Sequence, residues 1–238
     1  MPTLGIIGSG NIGTAVARLA VAAETDVVIA NSRGPQSLTG LIEELGPRAT
    51  AATVEEAARA GEETLLSIPL TAYESLPEGL LRGRTVLDTG NYYPFRDGRI
   101  TELDSEEMTT TELAQRLLPG ALLVKAFNNI MAHHIPRLAR PAGADDRSAL
   151  PIAGEDPGAK ERAAALIDRL GFDTVDAGTP AESWRFEPES GAYTQIYLSD
   201  PEVPFERMTQ APAAPVPADR LRALLESSHR VKVAGRAF

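Results

Sequence analysis

Six residues near the amino end, Gly8-Ser9-Gly10-Asn11-Ile12-Gly13, have the spacing G-x-G-x-x-G. A strand-like run, Thr3–Ile7, precedes them and a helical pattern begins at Asn11. In that setting the spacing suits a dinucleotide pyrophosphate. Gly8 permits a tight turn, Gly10 lets phosphate approach the backbone, and Gly13 lets helix and strand pack closely. Backbone N–H groups at the positive helix end then face the anion. At the end of the next strand-like run, Asp26–Ala30, the chain reads Asn31-Ser32-Arg33. A ribose with a bare 2′-hydroxyl is usually met there by Asp or Glu. Asn31 repels no phosphate, Ser32 can donate a hydrogen bond, and Arg33 can pair with a 2′-phosphate and stack on adenine. These residues predict binding of NADP(H) in preference to NAD(H).

The other end of such a cofactor would lie beyond the strand carboxyl ends, where Pro69, Asn91, Tyr92, Phe127, Asn128 and Asn129 fall. Asn128 could hold the nicotinamide carboxamide or cap a turn. Tyr92, Tyr93 and Phe95 could cover a planar acceptor or pack beneath a loop. Hydride transfer to a flavin-like ring asks mainly for position, with donor and acceptor carbons about 3–3.5 Å apart. A carbonyl or imine substrate would also need a proton donor, for which His133, His134, Lys125, Tyr92 and Tyr193 are eligible. Asn128 and His133 are the catalytic candidates. Neighbouring histidines on a helix diverge by about 100°, so the pair makes no bidentate metal site, and none is expected. His229 falls in a basic tail read as mobile.

The elements that would position these groups alternate. Thr3–Ile7, Asp26–Ala30, Thr64–Ile68, Thr85–Asp88 and Ala121–Lys125 read as buried parallel strands. Helices are predicted over Asn11–Ala23, Pro35–Leu45, Thr53–Ala60 and Thr109–Leu118. Thr53 with Glu56, and Thr109 with Glu112, are capping-box pairs. A further unit follows: strand Ala149–Ala153, a helix opened by Asp156-Pro157 and ended by Gly171, and strand Asp173–Asp176. Glu182, Glu187 and Glu189 surround Trp184, Arg185 and Phe186 in a segment read as a surface loop. Ala211–Ala218, with three prolines, reads as a stiff linker before a short helix carrying Leu221, Leu224 and Leu225. The fold expected is α/β, a Rossmann-type doubly wound parallel sheet. Residues 1–145 form its NADP-binding domain, 146–210 a small α/β portion completing the acceptor site, and 211–238 the linker and terminal helix.

Composition narrows the function. The 238 residues are 43% apolar, enough for a sizeable core, and carry a net charge of -10, which argues against nucleic-acid partners. The absence of cysteine excludes disulfides, thiolate metal ligands and cysteine nucleophiles. No basic and apolar leader precedes Leu4, and no window approaches the roughly 18 apolar residues of a membrane span. A cytoplasmic protein without membrane partners is expected, and a homodimer, as twofold dimers are the commonest oligomers.

The glycine motif, Asn31-Ser32-Arg33, Ser67-Ile68-Pro69, Asp88-Thr89-Gly90-Asn91 and Val124-Lys125-Ala126-Phe127-Asn128 occur in this order. In them the chain resembles the NADPH-dependent reductases of the deazaflavin coenzyme F-420, a family related to the NADP-binding domain of metalloreductases. The resemblance runs from about residue 3 to residue 175. It implies that Ser9, Gly10, Asn11 and Ile12 hold the pyrophosphate and Ser32 and Arg33 the 2′-phosphate. It further implies that Ile68 and Pro69 line the cofactor site and that Ala126 to Asn128 approach the nicotinamide. Coenzyme F-420, FMN or FAD would be the co-substrate. Two alternatives stand beside hydride transfer to such an acceptor: NADPH-dependent reduction of a small carbonyl or imine compound, and a non-catalytic NADP-binding sensor. His133 and His134, and the extension beyond residue 176, lie outside the family pattern.

Overall fold

A computed structural model describes residues 2–236. These form one eight-stranded sheet: β1 (Thr3–Ile7), β2 (Asp26–Ala30), β3 (Ala49–Ala51), β4 (Glu63–Leu66), β5 (Thr85–Asp88), β6 (Leu122–Lys125), β7 (Ala149–Gly154) and β8 (Asp173–Asp176). The helices are α1 (Asn11–Ala22), α2 (Thr39–Leu45), α3 (Val54–Arg59), α4 (Pro94–Asp97), α5 (Thr101–Asp104), α6 (Thr110–Leu117), α7 (Ile135–Leu138), α8 (Pro157–Arg169) and α9 (Ala218–Ser227). The spatial strand order is β3-β2-β1-β4-β5-β6-β7-β8. Its first six members are parallel, in the doubly wound order whose winding reverses between β1 and β4.

Helices on both faces explain why the strands read as continuous apolar runs. Leu4, Ile6, Leu65, Leu87 and Val124 pack in the core that includes Val16 of α1 and Ile167 of α8. Their neighbours Ile7, Leu66, Val86 and Leu123 turn to the other face, against Ala57 of α3 and Leu113 of α6. No helix among the described residues is long and apolar enough to cross a membrane.

Several expectations need correction. β3 was not foreseen: Ala-Thr-Ala carries no apolar run, and β2 pairing alone makes it a strand. The Pro35–Leu45 helix opens with a 3-10 stretch, Pro35–Leu38, before α2. β7 joins the sheet antiparallel to β6 and β8 runs parallel to β7, so the last unit is inverted relative to the first six strands. The segment read as a linker is packed. Ala149 donates to the Val216 carbonyl (2.8 Å), Ala214 to the Tyr197 carbonyl (2.9 Å), and Val216 is fully buried. Residues between the prolines keep their N–H groups and bond like a strand. The tail is docked as well. The Arg236 guanidinium donates to the carbonyls of Tyr92 and Pro188 (3.3 and 3.0 Å), while His229 stays exposed.

Candidate active site

The loop between β1 and α1 is shaped by what its glycines lack. Gly8 has φ +114°, and its N–H donates to the Ala30 carbonyl at 2.9 Å. A Cβ on Gly8 would meet the Ser67 oxygen at 2.0 Å, and one on Gly13 would meet the Gly8 oxygen at 1.9 Å. Both positions are therefore closed by backbone. Gly10 is different, since nothing lies within 4 Å of the place its Cβ would take. It faces open space at the start of α1, whose first turn has no side-chain cap and no acidic residue. The first-turn N–H groups thus meet no competing carboxylate, which suits an incoming pyrophosphate.

Asn31 does more than leave out a charge. Its Nδ2 donates to the hydroxyls of Ser9 and Ser37, both at 3.0 Å, and its Oδ1 accepts from the Arg33 N–H at 2.9 Å. One amide thereby ties the glycine loop to the loop after β2. Ser32 and Arg33 lie exposed beside it, and the Arg33 guanidinium makes no hydrogen bond or ion pair among the described residues. A carboxylate at position 31 would lose both donated bonds and repel a phosphate ester.

A cleft of about 710 Å³ runs from Ser9, Gly10 and Asn11 past Thr89 to Asn128 and His133. At its far end two asparagines lock together. Asn91 Nδ2 donates to the Asn128 carbonyl (2.7 Å), and Asn128 Nδ2 donates to Asn91 Oδ1 (3.2 Å) and to the Phe186 carbonyl (2.9 Å). Asn128 Oδ1 is buried without a partner. Phe127, wholly buried, has φ +58°, a left-handed conformation that costs energy in a bulky residue. Its ring meets Phe172 edge-on at 6.1 Å, which helps fix the bend after β6. Beneath the loop lies a buried ionic cluster. Lys125 Nζ donates to the Gly90 carbonyl (2.6 Å) and stands 3.6 Å from Asp88, whose other oxygen accepts from the Tyr73 hydroxyl and from Gly90 N–H (2.9 Å). Burial, reinforced by Asp88, pushes the Tyr73 phenol well above its ordinary range.

Beyond the asparagines the cleft opens into a second, largely apolar chamber of about 630 Å³, walled by Phe95, Met131 and Met208. Tyr93, Met131 and Tyr193 line both spaces. The two tyrosine hydroxyls are hydrogen-bonded to each other, and Asn91 Nδ2 reaches them at 3.3 and 3.2 Å. Burial, and then the neighbouring Tyr93, raise the Tyr193 phenol well above its usual value, so it keeps its proton at neutral pH. The histidines part company. His133 lines the cleft, whereas His134 is fully buried. Both imidazoles approach the Ala211 carbonyl, at 3.3 and 3.0 Å. Burial lowers the pKa of His134, which holds it as the neutral ring.

Of the residues singled out in the sequence, Ser9, Gly10, Asn11, Ile12, Asn128 and His133 line the cleft. Gly8, Gly13 and Ala126 lie buried behind it, and Ile68 and Pro69 follow β4 beside Gly8. Asn31, Ser32 and Arg33 form a corner beside Ser9, at the glycine-loop end of the cleft. Not foreseen were Thr14, Arg18, Thr89, Met131 and Thr209 on its walls. Thr14 and Arg18 carry a signal that could have found them, being one helical turn apart on the face that starts at Asn11. The segment read as a surface loop, Pro180–Phe186, is a 3-10 stretch whose Phe186 is fully buried and whose carbonyl fixes Asn128.

A doubly wound sheet with this loop at its switch point defines the class: a Rossmann-type dinucleotide-binding fold. Residues 3–92 match the profile of the family described as NADP oxidoreductase, coenzyme F-420-dependent. A hypothetical protein of Sinorhizobium meliloti of known structure is 33% identical, with 77% of this chain and 88% of that one covered and a TM-score of 0.65. The chain is thus a relative of that protein over most of both chains, and its amino-terminal part matches the family profile. A candidate F-420-dependent NADP-reductase from Arthrobacter, 23% identical over 78% of this chain and 87% of its own, shares the fold with a TM-score of 0.62. Rat metalloreductase STEAP3 is 28% identical over 188 residues, 78% of this chain and 36% of its own length. The chain spans little more than a third of the length of the curated relatives it matches.

Proposed function

We propose that the protein moves a hydride between NADP(H) and a flavin-like or deazaflavin acceptor, coenzyme F-420, FMN or FAD, seated in the apolar chamber. The bound nicotinamide supplies or takes up the hydride, and the chain's own work is positional. Ser9, Gly10, Asn11 and Ile12 present backbone and hydroxyl donors to the pyrophosphate. Ser32 and Arg33 receive the 2′-phosphate at the corner that Asn31 organises. Ile68, Pro69 and Ala126 bound the cofactor, and Asn128 stands at its carboxamide end.

One observation carries the reading: the chamber and the nucleotide cleft share a wall of Tyr93, Met131 and Tyr193. A flat ring entering the chamber would lie beside the nicotinamide end against apolar side chains. The volume of about 630 Å³ suits a tricyclic ring system. The test is NADPH oxidation followed by absorbance with F-420, FMN, FAD and a panel of carbonyls and imines. Turnover with a flavin-type acceptor is expected, and none with any of the three would remove the proposal.

The Tyr193 hydroxyl favours a second reading, reduction of a carbonyl or imine. That phenol stays protonated and faces both spaces, so it could deliver the proton such a substrate needs. On this reading Tyr193→Phe abolishes turnover of the carbonyl panel, whereas flavin reduction by the same variant continues.

A further inference from the structure

The inversion of the last strand–helix–strand unit has a local result at the opposite end of the sheet. Because β7 runs antiparallel to β6, α8 begins near the amino ends of β5 and β6. Arg162 of α8 therefore reaches Thr85, the first residue of β5, and its Nε donates to the threonine hydroxyl at 2.7 Å. Arg84 stands next to Thr85 in the chain. Its backbone is fixed on both sides, with N–H to the Leu81 carbonyl (3.1 Å) and carbonyl from the Leu122 N–H (2.9 Å). Its side chain is not. Nε and one terminal nitrogen of Arg84 are out of contact with water and have no hydrogen-bond partner. Leaving donors of a permanent cation unsatisfied in this way is costly.

Arg84 and Arg162 line one polar hollow of about 410 Å³, completed by Gly61, Glu62, Gly83 and Thr85. Among the described residues neither arginine forms an ion pair, in a chain whose net charge is -10. Glu62, the one carboxylate on the rim, is exposed and pairs with neither. Arg147, by contrast, pairs with both Asp168 and Asp173. Two arginines beside one polar cavity suit a tetrahedral oxyanion.

We propose that this hollow, between the amino ends of β4 and β5 and the first turns of α8, is an anion site. Its ligand is a phosphate group, free or as the monoester of a small metabolite, bound by Arg84 and Arg162. The site lies at the opposite end of the sheet from the nucleotide cleft and stands independently of the hydride acceptor.

The test is calorimetric titration with inorganic phosphate and, separately, with glycerol phosphate. NADP⁺ is kept saturating so that the adenosine corner is filled, and ionic strength is held constant with chloride. Saturable binding of at least one probe is expected. It should weaken roughly tenfold or more in Arg84→Met and in Arg162→Met, while Glu62→Gln tightens it. NADP⁺ affinity of the three variants should equal that of the parent, which also reports that they are folded. Tighter binding of the ester than of free phosphate would identify a metabolite site, and the reverse an inorganic-ion site. No saturable binding of either probe, or binding unchanged in both arginine variants, would overturn the proposal.

Discussion

On the proposed reading Arg33 would bear the cofactor preference, and among the described residues no protein partner holds its guanidinium. Arg33→Ala should cost NADP(H) roughly 1.5–3 kcal/mol more than NAD(H), the worth of a charge-assisted hydrogen bond. Titrating both cofactors checks this, and equal losses would take Arg33 out of the phosphate corner. Lys125 is the opposite kind of residue, a cation wholly enclosed beside Asp88. Lys125→Met should destabilise the protein by about 3–5 kcal/mol, because it strands a buried carboxylate. Pairing it with Asp88→Asn should restore much of that loss in urea denaturation, since the uncompensated charge is then gone. His134 ties stability to pH. Its folded pKa lies below the ordinary 6.5, so the unfolded chain binds the proton more readily. Its contribution is complete above about pH 6.5 and is lost as pH falls from there toward the folded value. Melting temperature should decline across that window, and His134→Gln should flatten the decline.

At the scale of elements, helix starts matter most where they also join distant parts. Thr109 caps α6 by accepting from Glu112 N–H (3.1 Å), and its hydroxyl donates to the Pro180 carbonyl at 2.8 Å. Thr109→Ala should cost about 1–2 kcal/mol, against the smaller loss expected for the exposed cap Thr53→Ala. Chemical denaturation of the two variants compares them directly. Both caps could be read from the sequence because a capping box is local, four residues long and chemically distinctive. The glycine loop was legible for the same reason, as were the boundaries of β1, β2, β5 and β8. The direction of β7 was not, since strand polarity in a sheet is decided by pairing between segments far apart. The acceptor chamber was equally hidden. Met131, Thr194 and Met208 come from three separate stretches, and only the folded chain brings them to one wall. Asn128 was visible as a polar residue at a strand end, but its locking by Asn91 and Phe186 was not.

For the whole molecule, the carboxy-terminal third is structural covering rather than an appendage. Val216, Leu221 and Leu225 are buried in the same core as β7 and β8. Leu221→Ala should therefore cost about 2–5 kcal/mol, as for other large core truncations. A loss below about 1 kcal/mol by urea denaturation would mean that α9 does not belong to the cooperative unit. The inverted unit also has a consequence for how the molecule breathes. β6 and β7 are matched through only two residue pairs, Val124 with Gly154 and Lys125 with Ala153, whereas β5 and β6 are matched through four. Amide hydrogens of β7 and β8 should therefore exchange with deuterium earlier than those of β1, β4 and β5, because that short ladder is the natural place for a partial opening to start.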